Sequence, residues 1–146
     1  MKNKLLDYKL YLIIFIVLLI DQITKNFLQY KNFEVIPYLL YVRYAENPGI
    51  IFGLFENNAL FLFILPVIVI GVIIYYLSKN ELNWVGSALV IAGLLGNIID
   101  RIRFDYVIDW LLVPIYPKYN ISLFNLADAS LVIGVIVLIY YIHKEK

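Results

Sequence analysis

The chain has 146 residues, 63% of them apolar and 16% charged, whereas soluble domains are typically about 45–50% apolar and about 25% charged. The formal charge of +1 and the absence of cysteine exclude a basic nucleic-acid footprint, disulfides, thiolate nucleophiles and cysteine-held metals. The single histidine, His143, rules out a histidine zinc cluster and a histidine-based triad.

This composition belongs in a bilayer, and the length accommodates about four helical spans of roughly 20 residues each. The first span is expected at about residues 9–28. Its apolar run from Leu10 to Ile20 has the length of a signal-sequence core, but the pattern continues through Ile23, Phe27 and Leu28 and no small-residue cleavage site follows. Asp21 and Lys25 stand near its far end, four apart on one helical face, with Gln22 and Thr24 beside them. Residues 30–58 mix alternating and aromatic residues with Pro37 and the turn Asn47-Pro48-Gly49. This segment reads either as short strands forming an interfacial platform or as a plain connecting loop.

Residues 59–77 carry no charge and form the second expected span; Pro66 and Gly71 are tolerated in membrane helices. The third, 84–101, is rich in small residues, among them Gly86, Ala92, Gly93 and Gly96, which allow close helix contact. The fourth is expected at 126–142, after a connector at 104–122. The chain is organised as one membrane domain, 1–146, without internal repeats.

Lys2, Lys4, Lys9, Lys79, Lys144 and Lys146 fall on one side of this topology. Lys25, Lys31, Arg43, Arg101, Arg103 and Lys118 fall on the other. The tally ties, and the three lysines ahead of the first span favour cytoplasmic termini. All the polar span ends then share the opposite side, so one polar cluster at the outer leaflet is the simplest arrangement.

Ionisable groups beside lipid are costly and usually functional. Asp109 lies in the apolar stretch VIDWLLVPI, and Asp128 follows Asn125 at the start of span four. Two apposed carboxyl groups share a proton, so one can activate water while the other polarises a scissile carbonyl. The same residues also fit solvated helix ends paired with lysines, or proton or ion transport. Asp21 with Lys25 reads first as an intrahelical ion pair fastening span one to its neighbours. Asp100 and Arg101 need partners near lipid; the Arg101 fork suits a carboxylate, a neighbouring helix or a lipid phosphate. Asn97 and Asn125 are placed to hydrogen-bond between spans three and four. Gly49 serves the turn, and also permits close approach of backbone to a ligand. A serine–lysine site is a weak rival: Ser122 lacks a nucleophile elbow and Ser130 has no lysine at helical spacing.

The segments DQITK from Asp21 to Lys25, ENPGIIFG around Asn47, Gly49 and Phe52, GNIIDR from Gly96 to Arg101, VID ending at Asp109, and FNLAD ending at Asp128 occur in one order along the chain. Together they resemble the lipoprotein signal peptidase (signal peptidase II) family of bacterial membrane aspartyl proteases. The resemblance implies a polytopic fold of four transmembrane helices with a small extracytoplasmic β-platform and a short connector helix between spans three and four. It implies removal of signal peptides from diacylglyceryl-modified prolipoproteins, immediately before the lipidated cysteine, without cofactor or metal. Asp109 and Asp128 match the catalytic aspartates. Asn47, Gly49, Phe52, Asp21, Lys25, Asn97, Asp100, Arg101, Asn125 and Ala127 match positions that line or brace the site. Sensitivity to globomycin is implied as well. The expected partners are prolipoprotein signal peptides and membrane phospholipids, with no nucleic acid and a monomeric enzyme in the bacterial cell membrane. The chain departs from the family pattern at Ile50 and Ile51, where alanines are frequent, at Asp105, where glycine is, and at Ala129, where serine is. Two other readings stand beside it: a small proton- or ion-coupled transporter and a noncatalytic assembly subunit.

Overall fold

In a computed structural model, the structure describes residues 7–49, 58, 60–114 and 123–144. Among the described residues, four helices are long and apolar enough to cross a membrane. Helix α1 spans Tyr8–Leu28 and is capped by Asp7, whose carboxylate accepts the Lys9 N–H. A hairpin follows, β1 at Asn32–Ile36 and β2 at Leu40–Asn47. The second membrane helix opens with a π-helical turn, Leu60–Ile64, and continues as α2, Leu65–Ser78. Pro66 stands at this junction, and the wider turn avoids the clash of its ring with a carbonyl four residues back.

Helix α3, Trp84–Phe104, is the most buried of the four. The side-chain oxygen of Asn83 caps it by accepting the N–H groups of Val85 and Gly86. Helix α4, Leu126–Lys144, runs antiparallel against it. At Gly93 the two backbones meet: a Cβ there would run into the Ala127 carbonyl and lie 2.9 Å from the Ser130 hydroxyl. Gly93→Ala is therefore expected to cost about 1–3 kcal/mol, as overpacking does, lowering the thermal midpoint and the yield of folded protein from membranes. At the chain-terminal end, Leu10, Leu77 and Ala88 form an apolar cluster, and Ile73, Val90 and Ile91 form a second one nearer mid-bundle.

The segment between α3 and α4 corrects an expectation. No connector helix occupies its described residues; they form β3, Val107–Leu112, and β4, Leu123–Phe124. The sheet is open and antiparallel, in the order β1-β2-β3-β4. Val107 to Trp110 are all buried; Val107, Ile108 and Trp110 are the β-branched and aromatic types that a strand covered on both faces requires, and Asp109 is the one charged residue among them. Backbone pairing with β2 satisfies the groups on one edge; on the other, the Ile108 N–H donates to Asp100 and its carbonyl accepts from Asn125. Between the pairs Val42–Leu111 and Ala45–Asp109, one residue of β3, Trp110, faces two of β2, Arg43 and Tyr44. This is a β-bulge, which bends a strand and re-aims its side chains.

Asp105 ends α3 in the left-handed region, with φ 68°, and its N–H donates to the Arg101 carbonyl. Glycine takes this conformation without strain, which gives a physical reason for glycine at this position. Asp105→Gly is expected to gain up to about 1 kcal/mol, seen as a higher thermal midpoint.

Candidate active site

Four elements converge where the C-terminal ends of α1 and α3 meet the N-terminal end of α4 and the middle of β3. Asn125 caps α4. Its side-chain oxygen accepts the Asp128 N–H at 2.9 Å, and the Asp128 carboxylate accepts the Asn125 N–H at 3.2 Å. This reciprocal capping box fixes Asp128 in the first helical turn, and explains why an asparagine three residues earlier determines where that carboxylate points.

Asp109 reaches the same place from β3, opposite Ala45. Asn47, two residues along β2, lies on the same face as Ala45 and so forms a diagonal cross-strand pair with Asp109. Its amide donates to Asp109 Oδ2 at 2.9 Å, while its own oxygen accepts the Gly49 N–H at 3.1 Å. Asn125 Nδ2 donates to Asp109 Oδ1 at 2.8 Å. Asn97 Nδ2 donates to Asp128 Oδ1 at 2.7 Å, and Asn97 Oδ1 accepts from Asn125 Nδ2 at 3.2 Å. Three amides thus hold two carboxylates, and Asn125 touches both.

Asp109 is only 3% exposed. Burial pushes its carboxyl up to about 7, the nearby charge of Asp128 adds to this, and the Asn47 and Asn125 amides and the Lys25 charge pull against it. A carboxyl titrating near neutrality can both hold and release a proton under working conditions.

Behind the aspartates lies a buried ionic core. Lys25, 1% exposed, pairs with Asp21 at 2.8 Å and Asp100 at 2.9 Å and donates to Asn97 Oδ1 at 3.0 Å. Asp21 Oδ1 accepts the Ala127 N–H at 2.9 Å, and Asp100 Oδ2 accepts the Ile108 N–H at 3.1 Å. Ala127 and Ile108 are the residues immediately before Asp128 and Asp109. The ion pair within α1 therefore also fastens that helix to α4. Arg101 Nη2 donates to the Gly49 carbonyl at 2.7 Å, while its buried Nε has no hydrogen-bond partner among the described residues.

The structure brings together Asp21, Lys25, Asn47, Gly49, Asn97, Asp100, Arg101, Asp109, Asn125, Ala127 and Asp128. Phe52, Ile50, Ile51 and Ser122 lie outside the described residues. Gln22 was missed as a site residue from sequence: it donates to Asp100 Oδ1 at 2.9 Å and to Asp21 Oδ2 at 3.2 Å. Its place inside DQITK was the available signal.

The family model for signal peptidase (SPase) II matches residues 13–144. The chain belongs to the signal peptidase II family. Among its relatives, the lipoprotein signal peptidase of Thermodesulfovibrio yellowstonii is 39% identical over 91% of this chain and 93% of its own. That of Halothermothrix orenii is 34% identical over 93% and 96%. Two solved structures, each described as a bacterial membrane enzyme determined by the in meso method, share the fold. The one at 2.3 Å has a TM-score of 0.86 and 33% identity, covering 96% of this chain and 90% of that one. The one at 1.9 Å has a TM-score of 0.84 and 33% identity, covering 97% and 96%. As a signal peptidase II, the chain is a multi-pass membrane hydrolase.

Proposed function

We propose that Asp109 and Asp128 are the catalytic pair of this signal peptidase II. Aspartic-protease cleavage of prolipoprotein signal peptides follows from the family; the placement of the chemistry on these two residues rests on their geometry. The observation that carries it is the pair of carboxylates, one on a strand and one at a helix start, both hydrogen-bonded to Asn125. In this reading Asp128 takes a proton from the attacking water. The Asp109 carboxyl, held near neutrality by burial, gives its proton to the scissile carbonyl oxygen. Collapse of the tetrahedral intermediate returns a proton to the departing amine. The scissile bond precedes a diacylglyceryl-modified cysteine, whose amine is the leaving group.

The site works at the outer leaflet, with both termini cytoplasmic. Supporting this depth, the hairpin leaving α1 exposes apolar and aromatic residues on the same side as the aspartates: Phe33, Val35, Ile36, Leu39 and Tyr38, the last 89% exposed. Such residues suit the bilayer interface. The Arg101 Nε, without a partner among the described residues, is a donor for a substrate carbonyl. Every group of the dyad comes from one chain, so a monomer suffices. A transporter would need polar groups to continue across the bundle, yet Leu10, Leu77 and Ala88 pack its other end.

Incubation of the purified protein with a diacylglyceryl-modified prolipoprotein tests this reading. Cleavage before the modified cysteine is expected, together with inhibition by globomycin. An intact substrate under conditions where the protein is folded would reject it.

A further inference from the structure

We propose that Gln22 is a positioning residue for the Asp109–Asp128 pair, its amide joining the two carboxylates that hold the backbone immediately before each aspartate. The inference rests on the catalytic reading of that pair. Asp21 holds the Ala127 N–H, and Asp100 holds the Ile108 N–H. Any rotation of Asp21 or Asp100 therefore moves the start of α4 or the middle of β3, and with it one aspartate.

Lys25 supplies the charge that keeps these two carboxylates together, but it cannot fix their planes. An ammonium is a point charge with freely turning donors, and a carboxylate can pivot about it. A planar amide donates in two set directions. Gln22 Nε2 lies 2.9 Å from Asp100 Oδ1 and 3.2 Å from Asp21 Oδ2, with the Gly96 carbonyl at 3.3 Å. Lys25 contacts Asp100 through Oδ2. Each oxygen of Asp100 thus has its own holder from α1, and the carboxylate plane is set.

The amide must face one way only. Reversed, its oxygen would point at two carboxylates. Arg103, on the exposed face of α3, donates from Nη1 to Gln22 Oε1 at 3.0 Å, and this selects the working orientation. Gly96 makes the approach possible, since a Cβ there would lie 2.8 Å from Asp21 Oδ2. A line of contacts thus runs from Arg103 through Gln22 to Asp21 and Asp100, then to the backbone that carries both aspartates.

The test uses the full chain and a diacylglyceryl-modified prolipoprotein. Gln22→Met keeps the volume and removes the donors. A fall in kcat of ~10–100-fold is expected, the scale of a small misplacement of reacting groups, with KM within about two-fold and unfolding within a few degrees of the parent. Arg103→Met should lower kcat several-fold at unchanged KM, and adding it to Gln22→Met should cost nothing more. The proposal is overturned if Gln22→Met keeps kcat within two-fold, if its loss only tracks a loss of folded protein, or if the two changes add. Should Gln22→Met not fold, Arg103→Met decides alone: an unchanged kcat rejects the proposal. Failure of the underlying reading looks different, namely parental cleavage by Asp109→Asn or Asp128→Asn.

Discussion

Asp109→Asn is expected to cut cleavage by at least ~10⁴-fold while leaving the protein as stable as the parent, or more so, at neutral and alkaline pH. In the proposed mechanism the rate loss follows because an amide can neither take a proton from water nor give one to the carbonyl, and the two carboxyl groups would act as a unit. The stability effect has the opposite sign. The folded-state carboxyl titrates near 7 against an ordinary value of 3.8, so between those values the folded protein holds a proton that the unfolded chain has released. Stability of the parent therefore declines as pH rises from about 4 to about 7, by something on the order of 4 kcal/mol for a shift of this size, and is level above that. Asparagine cannot ionise, and the slope from this residue should vanish. The new side chain keeps one oxygen, which can still accept from Asn125 Nδ2, whose orientation the Asp128 cap fixes. Asp128→Asn should be equally inactive. Single-turnover cleavage and thermal unfolding across pH 4–8 test both halves; residual cleavage near the parental rate would remove Asp109 from the mechanism.

Lys25→Met should be damaging for a different reason. It removes one buried cation and leaves two buried carboxylates, Asp21 and Asp100, facing each other. Breaking a buried pair from one side costs about 3–5 kcal/mol, a large part of the stability of a small domain. Asp21 and Asp100 hold the N–H groups ahead of both aspartates, so whatever folded protein remains should cleave at least ~100-fold more slowly. Combining Lys25→Met with Asp21→Asn and Asp100→Asn abolishes the net imbalance. Much of the lost stability should return, because the penalty lies in uncompensated charge rather than in missing attraction. Folded yield in detergent and thermal midpoint provide the comparison; a triple variant no better than Lys25→Met would refute the electrostatic cause.

The four membrane-crossing helices are legible from hydropathy, because lipid demands long apolar runs and little else competes with that signal. The start of α4 is legible too: the spacing of Asn125 and Asp128 is a capping box, a local device. The β3 strand is not, because its identity depends on a partner strand far back in the chain. VIDWLL is buried on both faces and so lacks the alternation that announces a strand. The bulge that aims Asp109 is likewise a property of two strands in register, not of either alone. Gln22 escapes notice for a similar reason. An amide near a helix end is ordinary until α3 brings Asp100 and the Gly96 carbonyl against it.

The ion pair inside α1 bears on how the chain enters the bilayer. Lys25 finds a hydrogen-bonding partner 72 residues later, at Asn97, and Asp21 finds one 106 residues later, at Ala127. During synthesis those partners do not yet exist when α1 emerges. Each charge alone would oppose transfer into lipid. Placed one turn apart, with Lys25 Nζ 2.8 Å from Asp21 Oδ2, the two travel as a neutral unit. The first helix thus carries its own counter-ion, and can wait in the membrane until α3 and α4 arrive to claim both groups for the finished enzyme.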